Sequence, residues 1–347
     1  MSPTKKSAYC AGCYRRLTKQ QPDFCASCQR ELFGGAAVSA VLAFSPPKQA
    51  TPKEALRYRE LTRQMSMSGV QEKFSVRLAA GTAALELTNA GGQYILKPIP
   101  SINVHPEAVP ANEHLTMQLA RQVFRLPTAA CAVLRFATGQ PAYLTRRFDV
   151  QPDGRRLLQE DFAQLAGRTQ QQHGPNYKYD YSYEEMGQVI RQALPATYLP
   201  ELTAFFQLLL FNYLVGNGDA HLKNFSLHRT PHDEAYHFTP AYDLLSTKLH
   251  FPDESDTAVP LCPDPTNDPP AFDALGFYSH DNFLELGRRL GLPLSRVRRL
   301  LADIVQHEAK IQALIDRSFL PPDLQARYAT VVAERRQRLR YSLAAAG

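Results

Sequence analysis

A carboxylate and an amide sit five residues apart in the run Val215-Gly-Asn-Gly-Asp-Ala-His-Leu-Lys-Asn-Phe225. They are Asp219 and Asn224. Phosphoryl transfer asks for these residue types: an oxygen acceptor at the attacking hydroxyl, and an oxygen donor for the metal that neutralises the phosphates. Lys223, between them, is placed to touch the transferred phosphate. Polar turns rich in Gly, Asn and Asp are also common without any chemistry, so the loop alone leaves both readings open. Pro240-Ala-Tyr-Asp243 follows, with its aspartate nineteen residues after Asn224. Magnesium takes one or two carboxylate or amide oxygens and completes its shell with phosphate and water. Asp243 fits that demand, although an aspartate at such a place can equally cap a helix.

Three further segments suit the same chemistry. Tyr94-Ile-Leu-Lys97 ends an apolar strand on a cation, suited to the α- and β-phosphates of ATP. Sixteen residues later Glu113 opens a helical pattern, and it is expected to pair with Lys97. Before the first strand, Ser66-Met-Ser-Gly-Val-Gln-Glu-Lys73 offers hydroxyls and backbone N–H groups at Ser66, Ser68, Gly69 and Val70 to a phosphate. Gln159, Glu160, Asp161 and Phe162 fall where a strand-rich half meets a helix-rich half, a place where backbone groups can hydrogen-bond adenine.

Six cysteines divide into two kinds. Cys10, Cys13, Cys25 and Cys28 form two C-x-x-C pairs with eleven residues between them. In a reducing compartment this spacing reads as four thiolates around one structural zinc. Cys131 lies in an apolar stretch and reads as a small buried hydrophobe; Cys262 has no assigned role.

Around these residues the chain reads as α+β. Residues 74–78, 94–96, 132–136 and 142–147 have strand character. Residues 112–125 carry a helical period, and 183–194 and 200–215 read as helices, the second of them buried. Residues 225–228 and 236–239 read as a hairpin, and three or four helices fill the last third. The expected division is a Cys₄ ribbon over residues 1–33, a linker over 34–60, a sheet-rich lobe over 61–160 and a helical lobe over 161–347. Composition is that of a folded domain: 347 residues, 44% hydrophobic, net charge +6. Neither a membrane span nor a secretory signal is legible, so a cytoplasmic location is expected. The C-terminal arginines, Arg288, Arg289, Arg296, Arg298, Arg299, Arg335, Arg336, Arg338 and Arg340, read as a solvated face. Direct binding of nucleic acid is not expected.

Taken in order, S-M-S-G-V-Q-E-K, Y-I-L-K-P, N-E-x-x-x-M-x-L-A, R-R-F-D, Q-E-D-F, G-N-G-D-A-H-L-K-N-F and P-A-Y-D-L-L-S resemble the HipA-like serine/threonine kinases of bacterial toxin–antitoxin systems. The resemblance implies a two-lobed protein-kinase-like fold with ATP and Mg²⁺ as cofactors. It implies Asp219 as catalytic base with His221 and Lys223 beside it, Asn224 and Asp243 as Mg²⁺ ligands, and Lys97 on the phosphates. Adenine would meet residues 159–162. Ser66 and Ser68 would be sites of autophosphorylation, which adds roughly two negative charges beside the ATP phosphates and disfavours nucleotide. Substrates of the family include aminoacyl-tRNA synthetases. Partners would be a HipB-like helix-turn-helix antitoxin or a small HipA-N-like protein, as in the short HipT kinases. The Cys₄ ribbon lies outside that family core and is expected to be a separate docking or stability module, whose loss leaves nucleotide binding largely intact. Alternatives from other classes are a non-catalytic ATP-binding adaptor and a lipid or small-molecule kinase.

Overall fold

Alternation of apolar and polar side chains builds the first sheet and aims its chemistry. In the computed structural model, which describes residues 8–64, 72–151, 153–230, 235–264 and 270–343, five strands pair antiparallel in the order β2-β1-β3-β5-β4. They are β1 (Phe74–Leu78), β2 (Leu85–Leu87), β3 (Tyr94–Lys97), β4 (Cys131–Arg135) and β5 (Pro141–Arg146). Tyr94, Leu96, Ala142 and Leu144 share one face and pack with Phe24, Leu32 and Phe33 of the N-terminal segment. Lys97 therefore points to the other face, where Tyr143 joins the larger core. Helix α3 (Val109–Gln122) packs there on β4 and β5. It begins three residues before the expected position, because Pro110 is tolerated in a first turn, where its missing N–H has no partner to lose.

The polar stretch expected to belong to a linker forms helix α2 (Pro52–Gln64). Thr51-Pro-Lys-Glu54 is a capping sequence: the Thr51 N–H donates to Glu54 Oε2 at 2.7 Å, and Glu54 N–H donates back to Thr51 Oγ1 at 3.4 Å. Helix α1 (Ala26–Phe33) precedes it and carries Cys28.

Beyond β5 a second, three-stranded antiparallel sheet is ordered β6-β7-β8: β6 (Leu158–Asp161), β7 (Ser226–Arg229) and β8 (His237–Phe238). Helices supply the remainder: the single turns α4 (Phe162–Leu165) and α5 (Gln170–His173), then α6 (Tyr183–Ala193), α7 (Tyr198–Leu214), α8 (Pro270–Leu275), α9 (His280–Arg289), α10 (Leu294–Ile304), α11 (Glu308–Ile315) and α12 (Pro322–Arg340). Apolar α7 is the hub, buried from Leu202 to Leu214 against α6, α10 and α12. The arginines are not one solvated face. Arg335 is 3% exposed, paired with Asp256 at 2.7 Å and stacked over Tyr213, and Arg336 reaches Glu308 at 2.9 Å. A planar guanidinium with a carboxylate partner can be buried where an unpaired charge cannot. Among the described residues no helix is long and apolar enough to cross a membrane.

Candidate active site

Between the five-stranded sheet and the helical part lies a cavity of about 780 Å³. Lys73, Lys97, Glu113, Gln159, Asp161, Asp219, His221, Lys223, Asn224 and Asp243 all line it. Residues from positions 73 to 243 thus converge from separate stretches of the chain.

Lys97, 3% exposed at the end of β3, donates to Glu113 Oε1 at 2.6 Å and to Asp243 Oδ1. Asp243 Oδ2 accepts from Lys73 at 3.1 Å. Burial alone would raise the Asp243 carboxyl, but Lys73 and Lys97 overcome it and hold the group far below the usual carboxylate range. Burial would likewise lower Lys97; Asp243 and Glu113 reverse that and raise it. For Glu113 burial wins over the attraction of Lys97, and its carboxyl is raised. Asp243 adopts φ +54°, a left-handed backbone unusual for a residue with a side chain. The surroundings enforce it. Ala241 exchanges backbone bonds with Pro127 and Ala129, and Asn112 of α3 grips Ser246 through both its amide atoms.

The Asp219 loop hangs from the end of α7. Asn217 donates to Asn212 of that helix at 2.8 Å and accepts the Asp219 N–H at 3.2 Å. A Cβ on Gly218 would lie 2.7 Å from the Glu254 carboxyl and 2.8 Å from Ser255 O, so this close approach requires glycine. The Asp219 side chain is half exposed, and its Oδ1 accepts from Tyr179 at 2.6 Å. His221 Nε2 lies 3.8 Å from the same oxygen; burial lowers His221 to about 4, so the ring is neutral at pH 7. Asn224 Oδ1 accepts the His221 backbone N–H at 3.2 Å. Lys223 pairs with Asp161 at 2.8 Å, tying the loop to β6. Asp243 and Asn224 both line the cavity, and a carboxylate with an amide is a donor pair that suits magnesium beside phosphate.

The remaining sequence candidates fall less uniformly. Gln159 and Asp161 face the cavity; Glu160 and Phe162 do not line it. Residues 159–161 belong to strand β6, paired to β7, and Phe162 opens α4. Glu160 accepts from Tyr236, and the Phe162 ring is fully buried with Phe205, Phe225 and Phe238, its N–H bonded to Phe225 O at 3.0 Å. Ser66, Ser68, Gly69 and Val70 lie outside the described residues. Lys73, Tyr179 and Glu254 are among the lining residues not singled out from sequence. Lys73 ends the Ser/Gly segment, Tyr179 belongs to a tyrosine-rich run, and Glu254 follows the Asp243 loop.

Glu254 makes a test of its own. It accepts from Thr247, and burial raises its carboxyl to about 7. A group whose folded pKa lies above its unfolded value favours folding at low pH, and this contribution is lost as pH rises through about 7. Glu254→Gln keeps an oxygen for Thr247 and removes the ionisation. It is expected to raise Tm by roughly 2 °C at pH 8 and to leave it unchanged at pH 5. Paired thermal melts check this.

The N-terminal cysteines also converge. The four Sγ atoms of Cys10, Cys13, Cys25 and Cys28 lie within 4.8 Å of one another. A tetrahedral zinc with bonds of about 2.3 Å spaces sulfurs by roughly 3.8 Å. Backbone N–H groups of Gly12 and Cys25 donate to Cys10 Sγ at 3.4 and 3.2 Å, as a thiolate ligand invites. The donor set fits zinc. The ribbon is not a separate module, however: Ala11 O accepts from Val133 of β4, Leu32 O from Tyr94 of β3, and Glu31 O from Arg146 of β5.

Fold and cavity together define a two-lobed protein-kinase-like molecule with a small four-cysteine ribbon built onto its sheet lobe. The sequence profile of the HipA-like C-terminal domain matches residues 65–311, and the chain belongs to that family. It is 28% identical to a Haemophilus influenzae protein provisionally named a kinase, over 80% of this chain and 83% of that protein. It is 34% identical to the Sinorhizobium fredii protein Y4dM, also provisionally a kinase, over 56% of this chain and 48% of that one. The chain thus spans about half of Y4dM. Its fold is similar to that of HipA from Shewanella oneidensis MR-1, solved with HipB and operator DNA. The TM-score is 0.58 at 23% identity, covering 85% of this chain and 73% of HipA. The chain is a HipA-like kinase by family.

Proposed function

We propose that the chain is an ATP-dependent serine/threonine protein kinase of the HipA/HipT toxin type. The observation that carries this reading is the meeting of Lys97, Glu113 and Asp243 with Asp219 and Asn224 around one cavity. Asp219 accepts the proton of the substrate serine as the serine oxygen bonds to the γ-phosphorus and the bond from that phosphorus to the β,γ-bridging oxygen breaks, releasing ADP. Lys97, steadied by Glu113, holds the α- and β-phosphates, and Lys73 adds a second cation beside Asp243. Lys223, within the Asp219 loop and lining the same cavity, would meet the transferred group. Asn224 and Asp243 would hold Mg²⁺, which when bound offsets the charge of the phosphates. Gln159 and Asp161 would face the adenine end, and the Cys₄ cluster would hold a structural zinc.

Family resemblance supports the remainder: autophosphorylation on Ser66 or Ser68, a protein target such as an aminoacyl-tRNA synthetase, and restraint by a HipB-like or HipA-N-like partner. The solved complex of the Shewanella relative with HipB supports a partner of that kind.

The test is intact mass after incubation with ATP and Mg²⁺. The wild type is expected to gain one or two phosphates, mapped by peptide sequencing to Ser66 or Ser68, and an Asp219→Asn chain none. A wild type that binds ATP yet modifies neither itself nor any protein supports the adaptor instead. Rapid turnover on a lipid or small alcohol without self-modification supports that class of kinase.

A further inference from the structure

We propose that the Cys₄ cluster is a clamp across the Lys97–Glu113 pair, so that metal occupancy sets the geometry of nucleotide binding. The inference deepens the kinase reading and rests on it for the role of Lys97.

The cluster has two halves, and each holds one partner of the pair. The half from Cys10 to Tyr14 grips α3. Gly12 O accepts from His114 Nε2 at 3.2 Å, and the Tyr14 hydroxyl meets His114 Nδ1 at 2.8 Å. Because a carbonyl only accepts, Nε2 carries the proton and Tyr14 donates to Nδ1. His114 is fully buried and directly follows Glu113. Two turns on, Cys13 O accepts from Gln122 at 3.0 Å. Tyr14 is wedged against Phe319, ring centroids 5.1 Å apart, so this half cannot move away from α3 freely.

The half from Cys25 to Cys28 opens α1, whose last turn grips the sheet. Leu32 O accepts from Tyr94 at 2.8 Å, three residues before Lys97 on the same strand. Glu31 O accepts from Arg146 on β5, which pairs with Tyr94. The sulfur cluster joins the two halves at their ligands, beside the Ala11 N–H to Asp23 O bond at 2.9 Å and the Arg121–Glu31 pair at 2.6 Å. A Cβ on Gly12 would lie 2.9 Å from Cys28 Sγ, so even that backbone is packed against the opposite ligand. With a divalent ion bound, four thiolates are held together; without it, like charges or bulky thiols within 4.8 Å push the halves apart. The strand carrying Lys97 and the helix carrying Glu113 then lose one anchor they share, beside the packing of α3 on β4 and β5.

The test uses the full chain and two probes, Zn²⁺ and ATP. The zinc-loaded protein should carry one Zn²⁺ per chain. Removing the ion with a chelator should weaken ATP binding about tenfold or more, the scale of one lost hydrogen bond to a charged group, with recovery when Zn²⁺ returns. A merely structural role would reduce the number of binding sites and leave the Kd of the rest unchanged, so titrations must report both. His114→Phe keeps the buried ring and the cysteines while deleting both hydrogen bonds. It should retain the zinc yet show a similar loss of affinity, with His114→Gln recovering part of it. Hydrogen exchange in residues 109–122 should rise on zinc removal whether or not ATP binds, which separates failure of the clamp from failure of the kinase reading. Metal-free protein with unchanged Kd and unchanged exchange, or His114→Phe with wild-type affinity, overturns the proposal.

Discussion

Asp219→Asn is expected to lower phosphoryl transfer about 10²–10⁴-fold, the usual worth of a general base, while ATP affinity stays near wild type. The substitution is close to isosteric. The amide oxygen that replaces the carboxylate would still accept from Tyr179, and the backbone would still be held by Asn217, so the loop keeps its shape. Asn224 and Asp243 are untouched, as are both lysines. What disappears is the ability to take a proton, and that is needed only on the way to the transition state. Loss of kcat without loss of binding marks such a group. Single-turnover transfer beside equilibrium ATP titration makes the measurement. If Asp219→Asn retained half of its rate, the proton would have to go elsewhere, and His221, neutral and 3.8 Å away, would be the group to examine.

How much of this was legible depended on whether the cause was local. Asp219 and Asn224 belong to one loop after one apolar helix, so their spacing suggested the chemistry locally, and the later Asp243 was needed to favour it over a polar turn. Asp243 and Lys97 were recognisable by residue type and order, but their meeting is an event 146 residues apart in the chain. Only strand alternation, which turns Lys97 away from Leu96, hinted at it. Lys73 was hidden by its position at the end of a Ser/Gly segment, where a cation has many uses. Tyr179 and Glu254 had no signature, because a tyrosine-rich run and a loop glutamate acquire meaning only from what folds against them. At residues 159–161 the junction of the two halves forms a strand because Ser226–Arg229 supplies its partner, which no local signal in the sequence announced. Helix α2 could have been found from Thr51-Pro-Lys-Glu54, since a capping box is a local signal.

The ribbon marks the sharpest limit. Cysteine spacing says which atoms can ligate a metal, and the four sulfurs do gather. It says nothing about where the intervening carbonyls point. Those of Ala11, Gly12 and Cys13 go to β4, His114 and Gln122. A sequence reader therefore sees an appendage where the fold has made a third wall of the sheet lobe.

Lys97→Ala should have the largest effect on stability and binding together. The lysine is 3% exposed and stands between two carboxylates, Glu113 and Asp243, with Lys73 reaching only the second. Removing it leaves Glu113 buried with no cation at hydrogen-bond distance among its described contacts. Breaking a buried pair from one side costs about 3–5 kcal/mol, because the remaining charge is stranded away from water. ATP affinity should fall as well, since the cation that meets its phosphates is gone. The pH dependence has a definite sign. Glu113 is already raised above its unfolded value by burial, and losing Lys97 raises it further. Such a group contributes stability below its unfolded pKa and loses it as pH rises, so the variant should recover part of its deficit between pH 8 and pH 5. Asp243 behaves oppositely: held low by Lys73 and Lys97 in the wild type, it gives up stability only in strong acid. Denaturant melts at both pH values, with ATP titrations alongside, decide the matter. A Lys97→Ala chain as stable as wild type at pH 8, with the same ATP affinity, would mean that Glu113 finds another cation and that the phosphates bind elsewhere.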